Sequence, residues 1–218
     1  MELQSLASDK LELILGMVES LPAEDRFERL LAQVRETIPC DAAALLRYQD
    51  GIFYPLAIAG LVPQTLEKCF AVTEHPRLAI IAENESPTRF DASSSLPDPY
   101  DKLVAGFDNL PNIHDCMGIP LRKEGKLLGA LTMDSITAGC FDSVADTQLE
   151  SVSEVGAAAL HLALHMSELE QKASECADDL WKQFNKLSLR DATDAFQRRL
   201  LTLALEDAGG PGLLPLVA

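Results

Sequence analysis

Cys116 to Arg122 and Lys126 to Asp134 are apolar runs separated only by Lys123-Glu124-Gly125, and no other feature of the sequence restricts the fold as tightly. Two such runs around a short glycine-bearing turn predict a β-hairpin. A second pair, Ala42 to Tyr48 and Ile52 to Ala59, flanks Gln49-Asp50-Gly51 and predicts another. Helical patterns surround both. Leu6, Leu11, Ile14, Leu15 and Val18 form a helical stripe within residues 3–19, and Pro22 with Glu24 and Asp25 behind it predicts a helix to Thr37. Pro63 to Cys69 and Pro76 to Glu83 are short helical candidates, and Arg89 and Phe90 open a short strand. A long helix is expected from Asp142 to Leu187, capped by Asp142 or Ser143. Strand pairs set between helices, without strict strand–helix alternation, imply an α+β fold. Its central antiparallel sheet is flanked by helices and followed by a long C-terminal helical extension. The expected boundaries are a domain over 1–165, a helical linker over 166–186 and a helical tail over 187–218.

Charge narrows the partners. Thirty-four acidic residues against eighteen basic ones give a net charge of −16. Such a chain is repelled by nucleic acid and by anionic membranes unless a basic patch intervenes. Arg122-Lys123 and Arg198-Arg199 are the longest basic clusters, and both sit beside acids, so neither direct DNA binding nor membrane binding is expected. No apolar run approaches the length of a spanning helix, and Met1-Glu2-Leu3-Gln4-Ser5 lacks the start of a signal peptide, which points to the cytoplasm. Cys40, Cys69, Cys116, Cys140 and Cys176 are odd in number, widely spaced and free of CxxC. They argue against a disulfide framework or a structural zinc site, and most are expected to be reduced, buried hydrophobes.

Residues 91–112 differ from the rest, with Pro97, Pro99 and Pro111, three consecutive serines and four aspartates. Long ordered loops in compact domains are usually functional. This one leads into the strand of Cys116. A turn near Glu124-Gly125 places Cys116 opposite Thr132, Met133 or Asp134, depending on register, and a strand starting at His114 would put His114 and Cys116 on one face.

Ile119-Pro120-Leu121 followed by Gly125-Lys126-Leu127-Leu128-Gly129-Ala130-Leu131 resembles the closing hairpin of GAF domains. Ala44 to Tyr48, Pro55 to Ile58, His75-Pro76-Arg77-Leu78, Leu96-Pro97-Asp98-Pro99-Tyr100-Asp101, His114, Cys116, Gly118 to Leu121 and Gly129 to Asp134 extend the likeness. Over about residues 20 to 165 the chain resembles the sensor domain of the nitric-oxide-responsive enhancer-binding regulators of nitric oxide reductase genes. That resemblance implies one non-haem ferrous iron as cofactor and nitric oxide as ligand. The implied site positions fall on Arg77, Asp98, Asp101, His114, Cys116 and Asp134. Asp101, Cys116 and Asp134 would be three anionic ligands, with Asp98 or His114 assisting. Arg77, permanently protonated and without a free lone pair, would balance charge or touch the bound ligand. Taken singly, Cys116 reads as core, Asp98 as a turn residue and Arg77 as a partner of Glu74; the family pattern unites them.

The family's ATPase is absent from the sequence, which has no GxxxxGK[ST] loop. Residues 187–206 resemble the first helix of the family's DNA-binding module, but the chain then ends without the part that would read DNA. Val155, Ala159, Leu162, Met166, Leu169, Ala173, Cys176 and Leu180 alternate at four- and three-residue spacing, a seam that predicts a parallel homodimer. The expected function is nitric oxide sensing without enzymatic turnover, passed through this helix to transcription by way of a full-length regulator or ATPase in trans. Rival readings are a thiol redox enzyme built on Cys116 and a ligand-dead dimerisation module.

Overall fold

A computed structural model describes residues 23–106 and 115–207. The helix expected over 3–19 lies outside the described residues. Two compact units meet in sequence between His165 and Met166.

Among the described residues, the first unit comprises helix α1 (Ala23–Thr37), then strands β1 (Ala42–Gln49) and β2 (Ile52–Ala59). A 3₁₀ turn (Pro63–Glu67), β3 (Phe70–Ala71), helix α2 (Pro76–Glu83) and β4 (Thr88–Phe90) follow. After the proline-rich loop come β5 (Asp115–Lys123), β6 (Lys126–Ser135) and helix α3 (Asp146–Phe184). The six strands form one sheet in the order β3-β2-β1-β6-β5-β4, and every pairing is antiparallel. Both expected hairpins are present. Their two-residue loops, Asp50-Gly51 and Glu124-Gly125, have positive φ at both positions, the backbone that suits the twist of the flanking strands. Beyond them, β1 and β6 pair from Ala42↔Asp134 to Arg47↔Gly129 and fuse the hairpins into one sheet.

Period-two alternation divides the sheet between two cores. Ala43 and Leu45 of β1, Met117, Ile119 and Leu121 of β5, and Leu131 and Met133 of β6 face one way. They pack with Phe27, Leu30, Leu31 and Val34 of α1 and with Leu149, Val152, Val155 and Leu160 of α3. The α1 residues recur at three- and four-residue spacing, so one stripe of the helix is buried. Each of these leucines contributes about 1.5–3 kcal/mol by burial. This aliphatic face therefore carries most of the fold's stability and leaves the other face room for polar groups. Ala42, Ala44, Leu46, Cys116 and Ala130 line that second face with Leu78 and Ile81 of α2, Phe90 and Tyr100.

Close seating of α2 depends on Gly118. A Cβ there would overlap the Ile81 side chain, so the helix lies against β5 only because that position is bare. Gly118→Ala is expected to cost about 1–3 kcal/mol through overpacking. A lower urea midpoint would show it; an unchanged midpoint would mean Ile81 rearranges freely.

Three expectations need correction. The 63–69 helix is a 3₁₀ turn ending at Glu67, after which the chain enters β3. The long helix runs from Asp146 to Phe184, and neither Asp142 nor Ser143 caps it. Ala145 offers the first helical carbonyl, to Gln148 and Leu149, because Phe141 is buried and Arg89 holds the carbonyls of Phe141 and Val144. Of the cysteines whose side chains are described, only Cys116 is buried; Cys40 and Cys140 are half-buried and Cys69 is exposed. Burial pushes the Cys40 thiol up to about 11.

The second unit comprises, among the described residues, the rest of α3 and helix α4 (Leu189–Asp207). Ser188 starts α4: its hydroxyl accepts from the Asp191 amide and donates to the Asp191 carboxylate. Among the described residues no helix is long and apolar enough to cross a membrane.

Candidate metal centre

Four elements deliver the polar groups of the second sheet face. Pro76 opens α2 at its first turn and leaves Arg77, the next residue, pointing into the interior, where it is 5 % exposed. Its Nε donates to the carbonyl of Leu96 at 2.9 Å, and Nη1 donates to Asp98 Oδ2 at 2.9 Å. Nη1 also lies 2.6 Å from Cys116 Sγ, while the guanidinium sits 5.5 Å over the Phe90 ring. The Cys116 thiol donates to Asp98 Oδ2 at 2.6 Å, and the Tyr100 amide donates to Oδ1 at 2.6 Å. Arg77 and β5 thus draw the 96–100 segment onto the sheet. Tyr100 is fully buried there, its hydroxyl 2.8 Å from Thr132 Oγ1 and its ring edge-on to Phe70.

Asp134 enters from β6, directly opposite Cys116. That pairing depends on a bulge. Next to the turn, Arg122 faces Leu127; after a shift between Leu121 and Arg122, Leu121 faces Gly129. The extra residue, Leu128, advances the register by one. Without it Cys116 would face Met133, and Asp134 would lie on the other face of the sheet. Among the described residues, Asp98, Cys116 and Asp134 form a metal-capable cluster with ligand atoms all within 4.8 Å of one another, and all three are buried.

The cluster holds more potential negative charge than the single Arg77 guanidinium can balance. Burial, then the negative charges of Asp134 and Asp98, push the Cys116 thiol far above its ordinary range. Burial, then Asp98, likewise holds the Asp134 carboxyl well above the usual carboxylate range. Arg77 is one cation among three potential anions. A dication would complete the balance and favour the deprotonated ligands. Two carboxylates and a thiolate are a donor set that ferrous iron accepts, so the residues fit the metal that the family resemblance implies, although such a set does not select iron over other divalent transition ions.

Space is scarce. Two voids of about 10 Å³ each share Asp98, Tyr100 and Asp134 in their walls; one adds Asp41, Val104, Ser135 and Ile136, the other Arg77, Phe90 and Cys116. Such volumes suit a single water-sized group, whereas organic ligands and cofactors need roughly 300–1,000 Å³.

Of the site residues expected from sequence, Arg77, Asp98, Cys116 and Asp134 converge. Asp101 does not: it is exposed, one turn beyond Asp98, with its amide donating to the Asp98 carbonyl at 3.3 Å. The inner carboxylate is Asp98, selected by Arg77 and by the Tyr100 amide. His114 lies outside the described residues. Sequence reasoning singled out neither Tyr100 nor Thr132, though both stand inside the quoted strings, and Asp41 carried no signal. Asp41 Oδ2 accepts from the Ile136 amide and the Ser135 hydroxyl, and its own amide donates to the Asp134 carbonyl.

This sheet, with helices on both faces and a buried polar cluster under a loop, belongs to the GAF domain family, and the family match spans residues 22–164. More particularly, the chain is homologous to one group of transcription regulators. It is 44 % identical over 173 residues to the anaerobic nitric oxide reductase transcription regulator NorR of Serratia proteamaculans strain 568, covering 79 % of this chain and 33 % of that protein. It is 41 % identical over 169 residues to the regulatory protein LuxO of Vibrio cholerae, with 77 % and 32 % covered. The chain therefore spans about a third of the length of these relatives. The GAF domain of an Acinetobacter phosphoenolpyruvate-protein phosphotransferase superposes with a TM-score of 0.60 at 12 % identity, covering 75 % of this chain and 98 % of that one. That likeness shows the fold alone. Homology to transcription regulators, together with the GAF match, supports a regulatory sensor domain and not an enzyme. NorR and LuxO match at similar identity, so the relatives' names alone do not choose a ligand.

Proposed function

We propose that this chain is a nitric-oxide-sensing regulatory domain that holds one non-haem ferrous ion among Asp98, Cys116 and Asp134. The observation that carries the reading is one buried thiol and two buried carboxyl groups converging beside a buried guanidinium. When bound, ferrous iron supplies a coordination position at which a diatomic ligand can bind. The protein's own groups do the rest. Arg77 offsets the third negative charge and is within reach of anything placed beside Cys116. Phe90, Leu78 and Ile81 give the pocket an apolar wall, and the Tyr100–Thr132 hydrogen bond closes another side. Voids of this size exclude the larger ligands for which roomier sites are built. The names of the NorR relatives point the same way.

Output would pass through α3. Asp134 stands one residue from the end of β6, and the segment that follows leads to that helix. Val155 and Ala159 of the seam are spent on the core, whereas Leu162, Met166 and Leu169 are exposed. A parallel homodimer through the exposed part, acting in the cytoplasm on a full-length regulator, is the arrangement we infer; monomeric behaviour in light scattering at micromolar concentration would count against it. The thiol-enzyme alternative needs an accessible thiolate. Cys116 is buried and pushed toward the protonated thiol.

Anaerobic loading with ferrous iron should give about one iron per chain, and nitric oxide should then produce a half-integer-spin EPR signal. A silent spectrum from an iron-loaded sample would end the nitric oxide reading. Failure to take up iron would end the metal centre as well.

A further inference from the structure

His161 and His165 are two of the chain's four histidines, and both are exposed on α3 one turn apart. Their rings are nearly parallel, at 5°, with centroids 6.4 Å apart. Side chains four residues apart on a helix are neighbours, and two histidines at this spacing on one face can ligate the same metal. An ion about 2.0–2.1 Å from one nitrogen of each ring, at an octahedral or tetrahedral angle, would put the centroids roughly 4.5–5.3 Å apart, with each ring plane turned toward the ion. From the observed 6.4 Å the rings would have to approach by about 1–2 Å and turn out of parallel, changes that the torsions of two exposed side chains supply without moving the backbone.

We propose that His161 and His165 form a second metal site, a surface chelate for a borderline divalent ion such as Zn²⁺, with water completing the coordination. Imidazole pairs select Zn²⁺, Cu²⁺ or Ni²⁺ over Mg²⁺ and Ca²⁺, which prefer oxygen. The site is separate from the buried cluster. Leu160, the last buried residue of α3 among those described, packs on the aliphatic face of the sheet, while Cys116 belongs to the other face. The helix backbone holds the two imidazoles ready, so the second nitrogen binds at high effective concentration once the first has bound. An ion bridging this turn stabilises it only while it is helical, and so stabilises the folded chain with increasing metal.

The test is a Zn²⁺ titration of the full chain, followed by NMR at the imidazole protons. Signals are assigned with His161→Gln and His165→Gln, whose exposed positions should leave the fold intact, as circular dichroism would verify. The His161 and His165 signals should shift together along one binding curve and reach a common plateau. Either substitution should weaken the response of the remaining imidazole by about tenfold or more. Zinc uptake by the buried cluster does not confuse this readout, because the signals are resolved by residue. Independent titration of the two rings, an unchanged response in the single variants, or no response at all would overturn the proposal.

Discussion

Arg77→Met should destabilise the metal-free protein by about 3–5 kcal/mol, the usual result of removing one partner from a buried ion pair. The side chains of Arg77 and Asp98 are 6 % and 3 % exposed, so solvent cannot replace the lost guanidinium. Methionine preserves much of the volume and the contact with Phe90, which confines the loss to charge and hydrogen bonds. Three bonds go at once, to Leu96, Asp98 and Cys116, and they are what fasten the proline-rich loop to α2 and β5. The double variant Arg77→Met with Asp98→Asn should recover most of the loss, because the stranded charge is then gone. Urea denaturation of the four proteins completes the cycle. A loss below about 1 kcal/mol for the single variant would mean that Asp98 escapes to solvent and that the loop is not pinned as described.

How far the sequence anticipated this arrangement depends on the range of the interaction. Each hairpin is set by a local turn and local alternation, so Asp50-Gly51 and Glu124-Gly125 were legible along with their strands. The β1–β6 pairing joins residues far apart in the chain and follows only from burying both hairpins against one pair of helices. Local spacing leaves the register at Cys116 open among Thr132, Met133 and Asp134, and a single residue decides the matter. An apolar Leu128 next to Gly129 gives no sign that one of them will be extruded as a bulge, yet that bulge turns Asp134 to the same face as Cys116. The choice between Asp98 and Asp101 was likewise out of reach. Both stand in one short string, and what separates them is a guanidinium on a helix that precedes them by some twenty residues. Local rules also misplaced the start of α3, because the carbonyls ahead of it are held by Arg89 from β4.

A buried acid facing a second acid and a thiol is a poor way to stabilise a protein, which gives the metal-centre reading its sharpest consequence. Asp134→Asn should abolish stoichiometric iron binding and at the same time raise the stability of the metal-free protein by roughly 1–3 kcal/mol. The amide keeps the size and shape of the carboxyl, removes the group that burial and Asp98 hold well above its ordinary range, and offers Asp98 a donor. It also eases the pressure on the Cys116 thiol, for which Asp134 is the largest electrostatic cause after burial. With the metal, the order reverses: wild type gains stability in proportion to ferrous iron and the variant does not, so their thermal midpoints should cross as iron is added. Metal analysis and paired melting curves, without and with ferrous iron under anaerobic conditions, measure both signs together. A structural carboxylate would behave otherwise. If Asp134→Asn lowers the stability of the metal-free protein and leaves iron uptake intact, Asp134 is part of the scaffold and the cluster is not where the metal binds.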